Sequence, residues 1–144
     1  MTQYRVGLLI LGLCLLFSAL AWGAEYTVDV LGTPSLSVSP SSSDTYTLCY
    51  LHYGQTPSMT TQIQVKVSEM PSWLTLTVNA PSPEIGTNQG PVTLTTSPSP
   101  LIINIDGATD TYWTASLTYY AEVTWEAPVG LKQITVYYIL MTYP

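Results

Sequence analysis

Residues 114–126 read TASLTYYAEVTWE, and their alternation of apolar and polar side chains indicates the fold. Successive side chains of a β-strand point to opposite faces, whereas a helix would scatter both sets around its surface. The segment therefore predicts a strand with one buried face, on which Tyr119 and Trp125 are core residues. That face carries Ala115, Leu117, Tyr119, Ala121, Val123 and Trp125.

The same two-residue period recurs along most of the chain, which predicts an all-β fold. Residues 62–68, for example, place Ile63, Val65 and Val67 on one face and polar side chains on the other. Turns rich in Pro, Gly and Ser separate the strands, a rhythm typical of a single antiparallel β-sandwich with roughly seven to nine strands. The remaining strand candidates are residues 26–30, 35–39, 45–52, 74–79, 91–96, 101–106 and 131–143.

The first 24 residues have the layout of a secretory signal peptide. Arg5 precedes an apolar run, Val6–Phe17, and the small residues of Ser18–Ala24 suit cleavage somewhere in 21–24. A membrane-spanning helix needs about 20 apolar residues, so the run favours a cleaved leader over a retained anchor. We therefore expect one β-sandwich domain over residues 25–144, without membrane attachment. Its expected location is secreted or at the extracellular cell surface, with the periplasm as the alternative.

The charge and the cysteine content of the chain limit the partners that it can bind. The chain has three Lys and Arg against nine Asp and Glu, and its net charge is −6. Such an acidic chain repels phosphate backbones, which argues against nucleic-acid binding. Cys49 is the one cysteine after the expected leader, so no disulfide can form within the mature chain. We expect it to be buried and inert, with pairing between chains as the alternative.

Two short motifs resemble those of prokaryotic immunoglobulin-like domains. Residues 70–77, MPSWLTLT, resemble their Pro-x-Trp/Gly-Leu/Val-Thr step. Residues 127–130, APVG, followed by Ile134-Thr135-Val136, resemble the lead into their last strand. The resemblance implies an immunoglobulin-like sandwich and a structural or adhesive role in a cell-surface or secreted protein.

No catalytic constellation is present, and we expect neither an enzyme nor a cofactor. His52 is the only histidine and lies three residues from Cys49, which places the two side chains on opposite faces of a strand. Glu122 and Glu126 share a strand face at about 13–14 Å. Glycosidase carboxylates lie roughly 5–10 Å apart, so these two do not form an acid–base pair.

Two weaker ligand sites can be read from the sequence. Asn104, Asp106 and Asp110 put three oxygen ligands in a short loop, which makes them calcium candidates, although Asp106-Gly107 is also an ordinary turn signal. Tyr120 and Tyr137 are candidate surface aromatics for a carbohydrate or a partner protein. A small extracellular binding module is therefore the alternative function.

The last strand gives the leading functional hypothesis. From Tyr137 to Met141 both of its faces are apolar, and a strand of that kind needs cover on both sides. Either the chain covers it within one molecule, or Tyr137, Ile139 and Met141 contact an identical subunit. Strand addition by the free N-terminal segment of the neighbour would then build a pilus-like filament. Its contact residues would be Tyr26, Val28 and Val30.

Overall fold

Extended strands make up the chain in the computed structural model, which describes residues 6–15, 27–55, 60–106 and 109–143. Within these ranges there are eleven strands and no helix. They are β1 (Val6–Leu15), β2 (Thr27–Leu31), β3 (Ser35–Val38), β4 (Asp44–Gln55), β5 (Thr60–Val67), β6 (Leu74–Asn79), β7 (Thr87–Asn88), β8 (Val92–Thr93), β9 (Ser99–Ile105), β10 (Thr109–Val123) and β11 (Gly130–Tyr143).

The strands form two sheets. The six-stranded sheet has the order β3-β1-β11-β5-β9-β7, and the five-stranded sheet has the order β2-β4-β10-β6-β8. Every named ladder is antiparallel except that between β1 and β11, which is parallel. Consecutive long strands such as β4 and β5, or β10 and β11, lie in different sheets, as in a β-sandwich.

The core lies between the two sheets and follows from the alternation in the sequence. In β6, Leu74, Leu76 and Val78 are buried while Thr75 is exposed. The alternating segment at 114–123 behaves in the same way, with Tyr119 fully buried. The all-β prediction is thereby confirmed.

Three details of the prediction are wrong. The strand count exceeds nine because β1 lies within the expected leader and because the two-residue strand β7 falls between the predicted strands 74–79 and 91–96. The sandwich is not wholly antiparallel, since β1 runs parallel to β11. Trp125 is 80% exposed rather than buried, because β10 ends at Val123 and residues 124–127 form a turn.

A pair of tyrosines joins the two sheets inside the core. Tyr119 lies on β10 and Tyr138 on β11, and both side chains are fully buried. Their hydroxyl groups hydrogen-bond to each other across the space between the sheets. A buried polar group destabilises a fold unless it has a partner, so each phenol makes the burial of the other tolerable.

We expect Tyr138→Phe to lower the free energy of unfolding by about 1–2 kcal/mol, because the Tyr119 hydroxyl loses this partner. The double variant Tyr119→Phe/Tyr138→Phe should lose less than the sum of the two single variants. Urea denaturation measures all three, with the exposed Tyr50→Phe as the control. Strictly additive losses would contradict the pairing.

Two ionisable groups on β4 are also buried. Burial raises the pKa of the Cys49 thiol to about 11, and outweighs the opposing hydrogen bond from the backbone of Tyr50. Burial likewise raises the pKa of Tyr53 to about 12, and its hydroxyl donates a hydrogen bond to the Ile85 carbonyl at 2.8 Å. Both groups are therefore held in their neutral forms in the folded protein.

We expect the fold to lose stability as the pH rises from about 9 towards 12. The unfolded chain releases the Cys49 proton from about pH 9 and the Tyr53 proton from about pH 10, while the folded chain retains them up to about pH 11 and about pH 12 respectively. Each group contributes a slope of about 1.4 kcal/mol per pH unit in its window. Urea denaturation at several pH values measures the slope. Tyr53→Phe should remove the Tyr53 part above pH 10, and an unchanged slope would count against this account.

Candidate functional site

The most unusual feature of the sheets is the position of β1. It runs parallel to β11 from the pair Val6 and Gly130 to the pair Leu15 and Ile139. On its other edge it pairs antiparallel with β3, from Val6 and Val38 to Leu9 and Ser35. Because β1 is the only neighbour of β3 in the sheet order, it also joins β3 to the rest of the described six-stranded sheet.

The strands on either side of β1 determine which side chains a strand between them must carry. With β1 in place, Leu36 and Val38 of β3 are 1% exposed, and Ile134, Val136 and Tyr138 of β11 are fully buried. These five side chains belong to the core face of the sheet. The intervening residues of β3 and of residues 133–137 are exposed or half-buried. A strand in this position must therefore be apolar at every second residue.

Sequence reasoning missed this role of Val6–Leu15. Its leucines follow one another without a two-residue period, so the pattern pointed only to a signal peptide. Removal of residues 1–24 as a signal peptide stays a prediction. The sheet nonetheless extends beyond the predicted domain of residues 25–144, because a strand from the expected leader occupies an interior position.

The predicted assembly residues of β11 have different surroundings. Ile139 is buried, and Met141 is 39% exposed. Tyr137 is half-buried on the outer face, with the Lys66 Nζ 5.6 Å from the centre of its ring. Along this stretch β11 pairs with β5 on one edge and with β1 as far as Ile139 on the other. Both strands that flank β11 in its sheet come from the same chain, and they pair with its edges rather than cover its outer face.

The expected N-terminal arm is not free in this structure. Val28 is fully buried and Val30 is half-buried in β2, which pairs with β4 from Thr27 to Leu31. Tyr26 lies outside the described residues. The arm was expected to be free because cleavage would make it the end of the chain, but its alternation also fits the edge of its own five-stranded sheet.

The calcium candidates do not form a described ligand set. Asn104 and Asp106 are exposed at the end of β9, and the Asp106 carboxylate accepts a hydrogen bond from Thr60 Oγ1 at 2.7 Å. Asp110 lies on β10, and its side chain is outside the described part of the chain. Among the side chains described, no group of three or more His, Cys, Asp or Glu could hold a metal ion.

The two candidate surface tyrosines lie on opposite sides of the sandwich. Tyr120 is on the outer face of the five-stranded sheet, where its hydroxyl donates to Glu122. Tyr137 is on the outer face of the six-stranded sheet. They cannot form one binding surface, because the two sheets and the core separate them.

The described ranges also hold no helix long and apolar enough to cross a membrane. Cys49 is fully buried on β4, as expected, and His52 of the same strand is half-buried. The structure thus brings together the residues around β1 rather than any of the predicted ligand sites. The position between β3 and β11 is the candidate functional site.

We expect the chain from Glu25 onward to expose backbone amides that the full chain protects. Without β1, residues 130–135 and residues 35–38 lose their only ladder in the described sheet, and residues 136–139 lose one of two. Hydrogen–deuterium exchange with mass spectrometry should show faster exchange in both segments in freshly diluted protein, with β10 as the internal control. Equal protection in the two chains would mean that β1 does not pair with either strand.

The comparisons with known proteins add no relative. No protein-family model matches the sequence. A comparison with curated proteins found no significant match either. Function must therefore be inferred from the geometry of the sheets and of their surfaces.

Proposed function

We propose that this protein is a secreted structural subunit of the cell surface that assembles by strand addition between identical subunits. Its immunoglobulin-like sandwich would lose β1 when the signal peptide is removed. A strand of a neighbouring subunit would then take the place of β1. The single observation that supports this proposal is the interior position of β1 between β3 and β11.

The physical argument is that an emptied interior position recruits another strand. Removal of β1 leaves unpaired backbone groups along β11 and β3, and it uncovers the apolar side chains of Leu36, Val38 and Val136. Unpaired edges pair with strands of other chains unless charges or prolines oppose it. Here residues 133–141 of β11 carry no charged side chain and no proline.

A donor strand must meet three conditions. It runs parallel to β11, it extends along as many as ten residues, and it is apolar at the positions that face Ile134, Val136 and Tyr138. The segment Glu25–Leu31 alternates in the required way through Tyr26, Val28 and Val30. Such a donor gains two ladders in the neighbour, one with β3 and one with β11.

Release of that segment from its own sheet is feasible because β2 is an edge strand. Only one ladder, between Thr27–Leu31 and β4, has to break. Gly32 follows β2 with a φ of 102°, a backbone conformation that glycine adopts without strain, so the chain can turn there. Each subunit would donate one strand and accept one, and a head-to-tail contact that does not close produces a filament.

The proposal predicts filaments of the chain from Glu25 onward, visible by negative-stain electron microscopy at neutral pH. Deletion of residues 25–31 should abolish them, because it removes the donor strand. A peptide of residues 6–15 with a solubilising lysine tail should also reduce them, because it refills the position from which β1 came. A scrambled peptide of the same composition is the matched control.

Three results would overturn the proposal. The first is a monomer at high concentration, with Cys49 both oxidised and reduced. The second is a filament that persists after deletion of residues 25–31. The third is equal inhibition by the native and the scrambled peptide, which would show that the peptide does not act through a specific strand position.

A further inference from the structure

A polar cleft lies where β10 leaves the five-stranded sheet. Its volume is about 400 Å³. The turn after β3 forms one wall with Ser39 and the serines at 41–43, and the other wall comes from Thr75 of β6 and from Glu122 and Thr124 at the end of β10. None of these residues belongs to β1, β3 or β11, so the cleft does not include the strand position described above.

The serine wall is ordered by its own hydrogen bonds. The backbone groups of Ser39 and Ser42 exchange two hydrogen bonds of 3.0 Å, which close the turn. The Oγ atom of Ser39 lies 2.9 Å from that of Ser42 and 3.3 Å from that of Ser41. A hydroxyl group both donates and accepts, so this wall presents a cluster of groups suited to a ligand that is itself rich in hydroxyls.

The opposite wall holds a positioned carboxylate. Glu122 is the register partner of Thr75, so the two side chains stand next to each other on the outer face of the sheet. The Tyr120 hydroxyl donates to Oε1 of Glu122 and fixes its orientation. A carboxylate accepts about four hydrogen bonds, so Tyr120 uses only part of its capacity.

An exposed tryptophan follows the cleft directly in the chain. Trp125 comes after Thr124 and is 80% exposed, which is unusual for a side chain of this size. The turn that presents it is ordered, because the Thr124 N–H donates to the Trp73 carbonyl at 2.9 Å and the Ala127 N–H donates to the Thr124 carbonyl at 3.1 Å. The exposed indole thus follows directly on Thr124, which lines the cleft.

We infer that this cleft and Trp125 form a binding site for a neutral oligosaccharide. A sugar ring has an apolar face of C–H groups and a rim of hydroxyls, and it therefore needs an aromatic surface and hydrogen-bonding groups side by side. Trp125 supplies the first, and Glu122 with the serine turn supplies the second. The carboxylate and the net charge of −6 disfavour uronic acids and phosphorylated sugars.

The site differs from the carbohydrate surface expected from the sequence. Tyr120 acts through Glu122 rather than as a stacking platform, and Tyr137 lies on the other sheet. Trp125 takes the stacking role because the chain turns out of the sheet after Val123. The inference extends beyond the proposed function, since a subunit that does not polymerise could still bind sugar here.

The test is calorimetric titration of the full chain with three pentasaccharides, composed of β-1,4-linked glucose, β-1,4-linked N-acetylglucosamine and α-1,4-linked glucose. We expect at least one to bind with a Kd below about 1 mM, and an oligomer of galacturonic acid not to bind. Trp125→Ala should weaken binding at least about tenfold and Glu122→Gln about threefold or more. Both side chains are exposed, so neither variant should alter the unfolding temperature appreciably.

Val129→Ala is the matched control, because Val129 is 62% exposed in the same connection between β10 and β11 but, unlike Trp125, does not adjoin Thr124, the last residue of the chain that lines the cleft. It should bind as the unaltered chain does. Failure of all three pentasaccharides to bind would overturn the inference. Binding retained in full by both Trp125→Ala and Glu122→Gln would overturn it as well, because the sugar would then sit elsewhere.

Discussion

The structure depends on one constraint: β11 lies inside a sheet, and its backbone must be hydrogen-bonded along both edges. Backbone N–H and C=O groups that lie away from water need partners, and β5 provides them on one edge from Val136 to Tyr143. On the other side β1 provides them as far as Ile139, and β1 in turn holds β3. The strand that pairs with this second edge of β11 therefore determines whether β3 belongs to the six-stranded sheet.

The core shows how the sandwich is held together although Cys49, one of its core residues, forms no disulfide. Cys49 is buried as a free thiol. The polar links are instead phenolic: Tyr119 meets Tyr138 between the sheets, and Tyr53 reaches the Ile85 carbonyl. Aromatic side chains fill a large volume and each brings a hydroxyl that needs a partner. Such a core favours one strand register, because a slipped register would leave buried hydroxyls without hydrogen-bond partners.

Sequence periodicity predicted what depends on local alternation. The strand at 114–123, its buried face and the all-β class follow from a period of two, which any half-buried strand must obey. It did not predict the strand at Val6–Leu15, because a leucine-rich run has no alternation and takes its conformation from its neighbours. It also could not separate Tyr120 from Tyr137, since a period assigns a face within a strand and not the sheet to which the strand belongs. Trp125 was misplaced because alternation continues two residues beyond the end of β10.

The parallel direction of β1 has a consequence for the two ends of an assembly. If neighbours fill that position one after another, every joint has the same polarity, so the assembly has one end with a vacant sheet position and one end with an unused strand. A chain that kept its own β1 would have no vacancy to offer. It could still donate its N-terminal strand only if that strand were free of the leader. An unprocessed chain would therefore neither accept nor donate a strand, and the completeness of cleavage would set how many subunits can enter the assembly.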